Sequence, residues 1–435
     1  MTGVVPSTPI RTTSTSPAKV ATASLVGTTI EYYDFSVYAM AASLALGPLF
    51  FPSGSAAAST LAAFASFAVA FVARPVGSAL FSTIGDRVGR RRALLICLLL
   101  MGGATVAIGL LPTYGSAGVA APVLLVVCRV LQGLAVGGEW GGAVLLATEH
   151  APANRRAMFG AFPQIGPPLG FVLAAAVFTL TTEIAGPAGF LAWGWRVPFL
   201  LSVVMVAVGL WVRLRVTESP VFDQAASRRQ LVRAPLIAVL REFPARVLAG
   251  TLAVLGGLTT WFLITTFAVA YGPAALGLPP RTMVAIACAA AATHGVLVIP
   301  AAFVVERFGR RVPMAVGAVG LAVCVVPAFA LLSTARPGLI ALGFCLTMVP
   351  FTLILGPVGA WLAELFPTRV RYVGASTGFM LASLLGGFAP LIGSALVAGG
   401  RPPVLLGCYA AVLALLGAVA LARTPETKHR SLLEP

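Results

Sequence analysis

Glu31 and Asp34 stand three residues apart in the stretch GTTIEYYDFSVY, and Arg74, Arg129 and Glu139 follow, each embedded in apolar sequence. An ionised side chain at bilayer depth costs at least about 2.5–3.5 kcal/mol on insertion scales, so such residues face a wet cavity or find partners. The chemistry open to them is narrow. Desolvation favours the protonated form of a carboxylate, and a nearby cation opposes it. A guanidinium stays charged and can grip a carboxylate through two parallel hydrogen bonds. The acids would carry a proton and an arginine would hold an anion. An anionic solute that occupied the arginine would raise the proton affinity of the neighbouring acid, which couples the two.

Spacing sharpens the assignment. Glu31, Asp34 and Tyr38 follow i, i+3, i+7 and share one helical face. At 1.5 Å rise per residue, Glu31 and Asp34 lie roughly 13–18 Å into a segment entered near Thr22, and Arg74 lies about 18 Å from Asp86. Asp34 and Arg74 are therefore expected at one level on neighbouring helices, with Glu139 at comparable depth. Asp34, with Glu31 or Glu139, is expected to couple the proton, and Arg74 and Tyr38 to bind substrate. A static ion pair locking the helices is the alternative.

Other residues carry weaker signals. Gln164 in FPQIGPPLG offers an uncharged ligand among prolines that free backbone carbonyls. Trp261, Thr265, Thr266 and Tyr271 could line a pocket. Arg196, beside Trp195, reads equally as a substrate contact and as an interfacial anchor. Arg129 suggests a structural or gating role. His294 stands alone and reads first as a hydrogen-bonded packing residue, and second as a proton shuttle. The six cysteines are scattered singly, with no disulfide framework or metal spacing, and no nucleophile–base constellation points to an enzyme.

The elements that must position these residues are membrane helices. The chain has 435 residues, 59% hydrophobic and 10% charged. A soluble chain of that length carries about a quarter charged residues. Cutting at charge clusters and Pro/Gly breaks leaves twelve apolar segments, near 22–49, 57–83, 93–111, 118–147, 157–182, 194–214, 245–271, 281–304, 313–333, 337–361, 372–398 and 402–423. Residues 1–21 read as a disordered tail with no cleavable leader, 215–244 as a central loop and 424–435 as a second tail. Of 29 basic residues, the tails and alternate loops hold 23, the opposite loops three and the segments three. That asymmetry puts both termini and the central loop in the cytoplasm. The net charge of +16 is then a topology signal that also attracts anionic lipid head groups, and nucleic-acid binding is not expected.

An internal repeat organises the segments. The acid, Arg, apolar, Gly, Arg, Arg order of Asp86 to Arg91 recurs from Glu306 to Arg311, and Glu149, Arg155, Arg156 and Gly160 are echoed by Glu364, Arg369, Arg371 and Gly374. The reading is an all-α integral membrane protein of 12 transmembrane helices, in two six-helix halves (22–214 and 245–423) related by a parallel pseudo-repeat. Such repeats place a midplane site between halves that rock. Asp86, Arg90, Glu306, Arg310, Glu149, Glu364 and Arg371 are expected to gate, latching one state through ion pairs. Gly133, Gly137 and Gly141 form a small-xxx-small row for close helix packing.

The doubled loop on a six-plus-six layout resembles the major facilitator superfamily. Glu31 to Phe35, Arg74-Pro75-x-Gly77, Arg129-x-Leu131-Gln132-Gly133 with Gly138 to Gly142, Trp195 to Phe199 with Glu218-Ser219-Pro220, and Ala363 to Thr368 with Arg371 resemble its bacterial metabolite–proton symporter branch. Two positions depart from that pattern, Tyr32 where Trp is frequent and Ser82 where Gly is usual. The resemblance implies proton-coupled uptake of a small polar, anionic metabolite by alternating access, in a bacterial-type cell membrane. It implies a monomer whose partners are solute, protons and lipid, with no cofactor or metal. A drug or metabolite–proton antiporter is the alternative, since Gly166 to Gly170 partly resembles an exporter signature in the same segment.

Overall fold

The computed structural model describes residues 17–88, 90–137, 140–149, 151–214, 235–367 and 370–428. Among them there is no strand. The main helices are α1 Pro17–Leu44, α2 Ala56–Val88, α3 Arg90–Leu110, α4 Ala120–Gly137, α5 Trp140–Glu149, α6 Arg156–Ala192 and α7 Ser202–Leu214. They continue as α8 Pro235–Glu242, α9 Pro244–Phe262, α10 Ala268–Leu276, α11 Pro280–Phe308, α12 Arg311–Leu332, α13 Pro337–Leu355, α14 Val358–Leu365, α15 Arg371–Gly387, α16 Ala389–Ala398 and α17 Val404–Arg423. Several run end to end as one rod, as α9 and α10 do through a π-helical turn at Leu263–Phe267.

Eleven of the described helical rods are long and apolar enough to cross a membrane. The helix α1 is 28 residues long, yet falls outside that set because its middle is the polar stretch that holds Glu31 and Asp34. Large apolar side chains such as Leu99, Val203, Val323, Leu346 and Val412 stand exposed around the outside. In water such a surface would aggregate; against lipid tails it carries no such cost.

Three expected boundaries move. Residues 17–21 of the expected tail are already part of the first helix. Part of the expected central loop, 235–242, is the short helix α8, and residues 424–428 pack onto the protein instead of trailing as a free tail.

Glycines set how closely the helices approach. A Cβ on Gly133 would collide with the Ala70 carbonyl, and one on Gly137 with the Arg74 carbonyl, so α4 lies backbone to backbone on α2. Gly166 and Gly170 bring α6 equally close to α1 at Thr28 and Tyr33. In the same contact the Thr28 hydroxyl reaches the Pro163 carbonyl at 2.9 Å. That carbonyl lacks its intrahelical donor because Pro167, four residues on, has no N–H. The repeat is visible in two helix starts: α6 starts at Arg156 and α15 at the corresponding Arg371.

Candidate functional site

A cluster of four phenylalanine rings fills the middle of the molecule. Phe35, Phe67 and Phe71 come from α1 and α2, and Phe262 meets them from α9, with ring centroids 5.1–6.0 Å apart. Arg74 lies on this cluster, its guanidinium carbon 4.3 Å from the Phe71 centroid and 5.0 Å from that of Phe35. Its Nη1 donates to Ser383 Oγ of α15 at 2.7 Å. A cation of the first half is thus held by a hydroxyl of the second. Tyr32 and Glu31 of α1 and Arg129 of α4 are near enough to act on its charge.

The three polar residues of α1 do not converge on one wall. Asp34, 1% exposed, accepts a 2.5 Å hydrogen bond from Ser202 Oγ on α7. The Tyr38 hydroxyl meets Ser66 on α2 at 2.6 Å. At 100° per residue Glu31 and Tyr38 differ by about 20°, but Asp34 is turned about 60° from Glu31, enough to face a different helix. Asp34 is thus bound to α7, and Glu31, one turn earlier on α1, is buried as well. Tyr38 is fully buried with its ring 3.8 Å from the Arg129 guanidinium carbon, a packing platform for that cation. Arg129 further donates to Gln132 Oε1 at 2.8 Å and to the Phe67 carbonyl at 3.0 Å.

On the side of the second half, Trp261 packs against Phe171 of α6 and against Phe351 and His294. Thr352 Oγ1 gives its proton to the Met348 carbonyl at 2.7 Å, so at 2.9 Å from His294 it accepts from Nδ1–H and leaves Nε2 as the ring's acceptor. Gln164 is buried, and its Nε2 has no hydrogen-bond partner among the described residues. Thr265 bonds back to the Trp261 carbonyl, whereas the Thr266 hydroxyl is buried without a described partner. Tyr271 is half-buried and stacks on Phe267. Arg196 sits elsewhere, over the Trp195 ring, donating to the carbonyls of Leu111 and Ala192. That is the geometry of an anchor tying the entry to α7 onto the end of α3.

The charged loops meet at the end of the bundle where α11 turns into α12. Arg310 binds Glu364 through both Nη2 at 3.0 Å and Nε at 3.2 Å, and Glu306 through Nη1 at 3.2 Å. Glu306 Oε1 in turn accepts the Ala157 and Met158 backbone N–H groups at the start of α6. A carboxylate of the second half therefore caps a helix of the first, where the helix dipole favours negative charge. Thr427 donates to Glu364 at 2.8 Å, and Glu426 accepts the backbone N–H groups of Arg310 and Arg311 at 2.9 and 3.1 Å. Burial alone would lower the proton affinity of Arg310, but Glu364 and Glu306 outweigh it and hold it above its ordinary value. For Glu426, burial raises the carboxyl and the four backbone N–H groups lower it further, so it rests below the usual range. Arg371 donates from Nε to the Ala363 carbonyl at 2.9 Å. Glu139 lies outside the described residues, as do the side chains of Asp86, Arg90 and Glu149.

The halves touch on both sides of the aromatic cluster. At the end carrying Arg310, a Cβ on Gly359 would press on Val144 and the Gly160 carbonyl, and one on Gly141 would strike Ser376. Toward the other end, Ser43 of α1 donates to the Thr266 carbonyl in the π-helical turn at 3.1 Å. Sequence reasoning missed Ser383, Ser202, Phe262 and Glu426. Single hydroxyls and rings in apolar helices carry no spacing signal, and Glu426 sits in what reads as tail.

Two groups of helices thus meet around a buried cation and an aromatic cluster, with an ion-pair network at one end of the bundle. The chain belongs to the family described as Sugar (and other) transporter, whose pattern matches residues 19–238 and 224–434. It is 44% identical over 421 residues, 95% of both chains, to the "Inner membrane metabolite transport protein YhjE" of Escherichia coli. It is 36% identical to the "Shikimate transporter" of that organism (87% of both chains) and 32% to its "Proline/betaine transporter" (95% of this chain, 84% of that one). The fold superposes on the proton:xylose symporter XylE with a TM-score of 0.74 at 20% identity, covering 96% of this chain and 98% of the other.

Proposed function

We propose that the protein imports a small polar, anionic metabolite together with protons by alternating access. In this reading twelve helices cross a bacterial inner membrane, both termini are cytoplasmic and the protein works as a monomer, with α1–α7 and α9–α17 forming the two rocking halves. One observation carries it. Arg74, 6% exposed, lies on the rings of Phe35 and Phe71 and donates across to Ser383 of the second half, while its Nε–H keeps no described partner. A solute carboxylate that displaced these contacts would take the guanidinium bidentately. Glu31, relieved of its counter-cation in a desolvated site, would then accept the coupling proton. Asp34, bound to Ser202, holds α1 against α7, and Gln164 and Trp261 offer the solute an amide and a ring. The latch of Arg310, Glu306 and Glu364 must open for the cytoplasmic side to release it.

Purified protein in proteoliposomes, given an inward proton gradient and a panel of hydroxy- and keto-acids, betaines and amino acids, tests this directly. Accumulation of a carboxylate with the gradient and its loss in Glu31→Gln are expected. Accepted solutes that are all cations would remove Arg74 from the proposed role, and full gradient-driven uptake by Glu31→Gln would remove Glu31.

A further inference from the structure

Beside Arg74 lies a small cavity between α1, α2, α3 and α4. Arg74, Arg129 and Gln132 line it together with Phe35, Met101 and Val136. About 10 Å³ of it is open to the centre of a water-sized sphere, room for one water or an ion of similar size. Arg129 is 1% exposed, and no described acidic side chain lies within 4 Å of it. The other ionic charge acting on it is Arg74, a second cation. Both guanidiniums keep a buried Nε–H with no described hydrogen-bond partner.

The remaining contacts of Arg129 are dipoles and rings: the Gln132 amide oxygen, the Phe67 carbonyl, and the faces of Tyr38 and Phe67. Gln132 cannot turn away, because its Nε2 is fixed on Thr105 at 2.7 Å and Thr105 on the Met101 carbonyl at 2.9 Å. A dipole and a ring soften a buried charge, but they do not cancel it. Glu31 answers one of the two cations and nothing described answers the other.

We propose that this cavity is a site for a small monovalent anion, a halide or a single carboxylate group, held between Arg74 and Arg129. Gln132 orients Arg129 toward it. The bound anion supplies the missing counter-charge, and it sits beside the guanidinium proposed to hold the solute. The site therefore adds a second ligand to the transporter and does not depend on which solute is carried.

Thermal unfolding of the purified full chain in detergent reads this without transport. Sodium chloride or bromide is titrated against sodium gluconate at constant sodium concentration, gluconate being too large for the cavity. A saturable rise on the order of 2–4 °C in halide is expected, absent in gluconate. Arg129→Gln removes the excess cation and should abolish the rise. Should that variant fail to fold, Gln132→Glu places a fixed carboxylate beside Arg129. It should unfold in gluconate at the temperature the wild type reaches in chloride, and lose its halide response. A rise produced by formate and by transported carboxylates, but not by halide, would assign the same site to a carboxylate source. No anion-specific rise in the wild type, or an undiminished halide response in Gln132→Glu, overturns the proposal.

Discussion

Two groups of buried charge, one at the centre and one at the end of the bundle, are built by opposite rules. At the end, Arg310 has two carboxylates, both reached by direct hydrogen bonds, and Glu306, Glu364 and Glu426 each use further donors from other elements. At the centre, Arg74 and Arg129 lie on rings and bond to hydroxyl, amide and carbonyl oxygens, with donors left over. A saturated network is a lock, since any movement breaks several charge-assisted bonds at once. A network with spare donors has capacity for a ligand. The difference separates the two groups more clearly than the residue types do, because both contain the same Arg and Glu.

Mutations should divide along that line. Glu364→Ala leaves Arg310, whose side chain is 0% exposed, without its bidentate partner. A loss of about 3–5 kcal/mol in unfolding stability is expected, measurable by chemical or thermal denaturation in detergent. Arg74→Ala should weigh the other way, cutting uptake on the order of 100-fold with a smaller loss of stability than Glu364→Ala. Two charge-assisted hydrogen bonds to a solute are worth about 3 kcal/mol, which is that factor in affinity. Equal stability losses in the two variants would sink the distinction.

Glu31→Gln refines the central group. About a tenfold loss of gradient-driven uptake is expected, with solute counterflow at zero gradient retained, since the neutral amide mimics the protonated acid. Loss of counterflow as well would make Glu31 a binding residue and not a coupling one. Thr427→Val removes one hydrogen bond from the latch and should cost about 1 kcal/mol in the same denaturation assay.

The smallest effect concerns pH. The carboxyl of Glu426 is held below its ordinary value in the folded protein, so its contribution to docking the tail is complete above the unfolded value near pH 4.5. It fades as pH falls below that and through the folded value. The stability difference between wild type and Glu426→Gln should be constant from pH 7 to 5.5 and shrink toward pH 4. A difference that grows on acidification would contradict the arrangement of N–H groups around this carboxylate.

Much of this was legible in the sequence. Composition required membrane helices, because 10% charged residues cannot solvate a surface of this size. The duplicated loops predict two related halves, and α6 and α15 start at the corresponding positions Arg156 and Arg371. The cost of an intramembrane charge singled out Glu31, Asp34, Arg74 and Arg129 before any coordinates. Helical periodicity gave the angle between Glu31 and Asp34 but not that Asp34 would meet Ser202, because a neighbour's direction depends on how α1, α2 and α7 surround one another. Equally, no spacing rule could reveal that Ser383, more than 300 residues away, completes the Arg74 contact, or that Glu426 caps the turn at Arg310. The sequence by itself determined which side chains needed partners, since that follows from charge and surrounding hydrophobicity. Only the tertiary structure decided which partners they have, and it left Arg129 with dipoles and rings where a carboxylate would have closed the account.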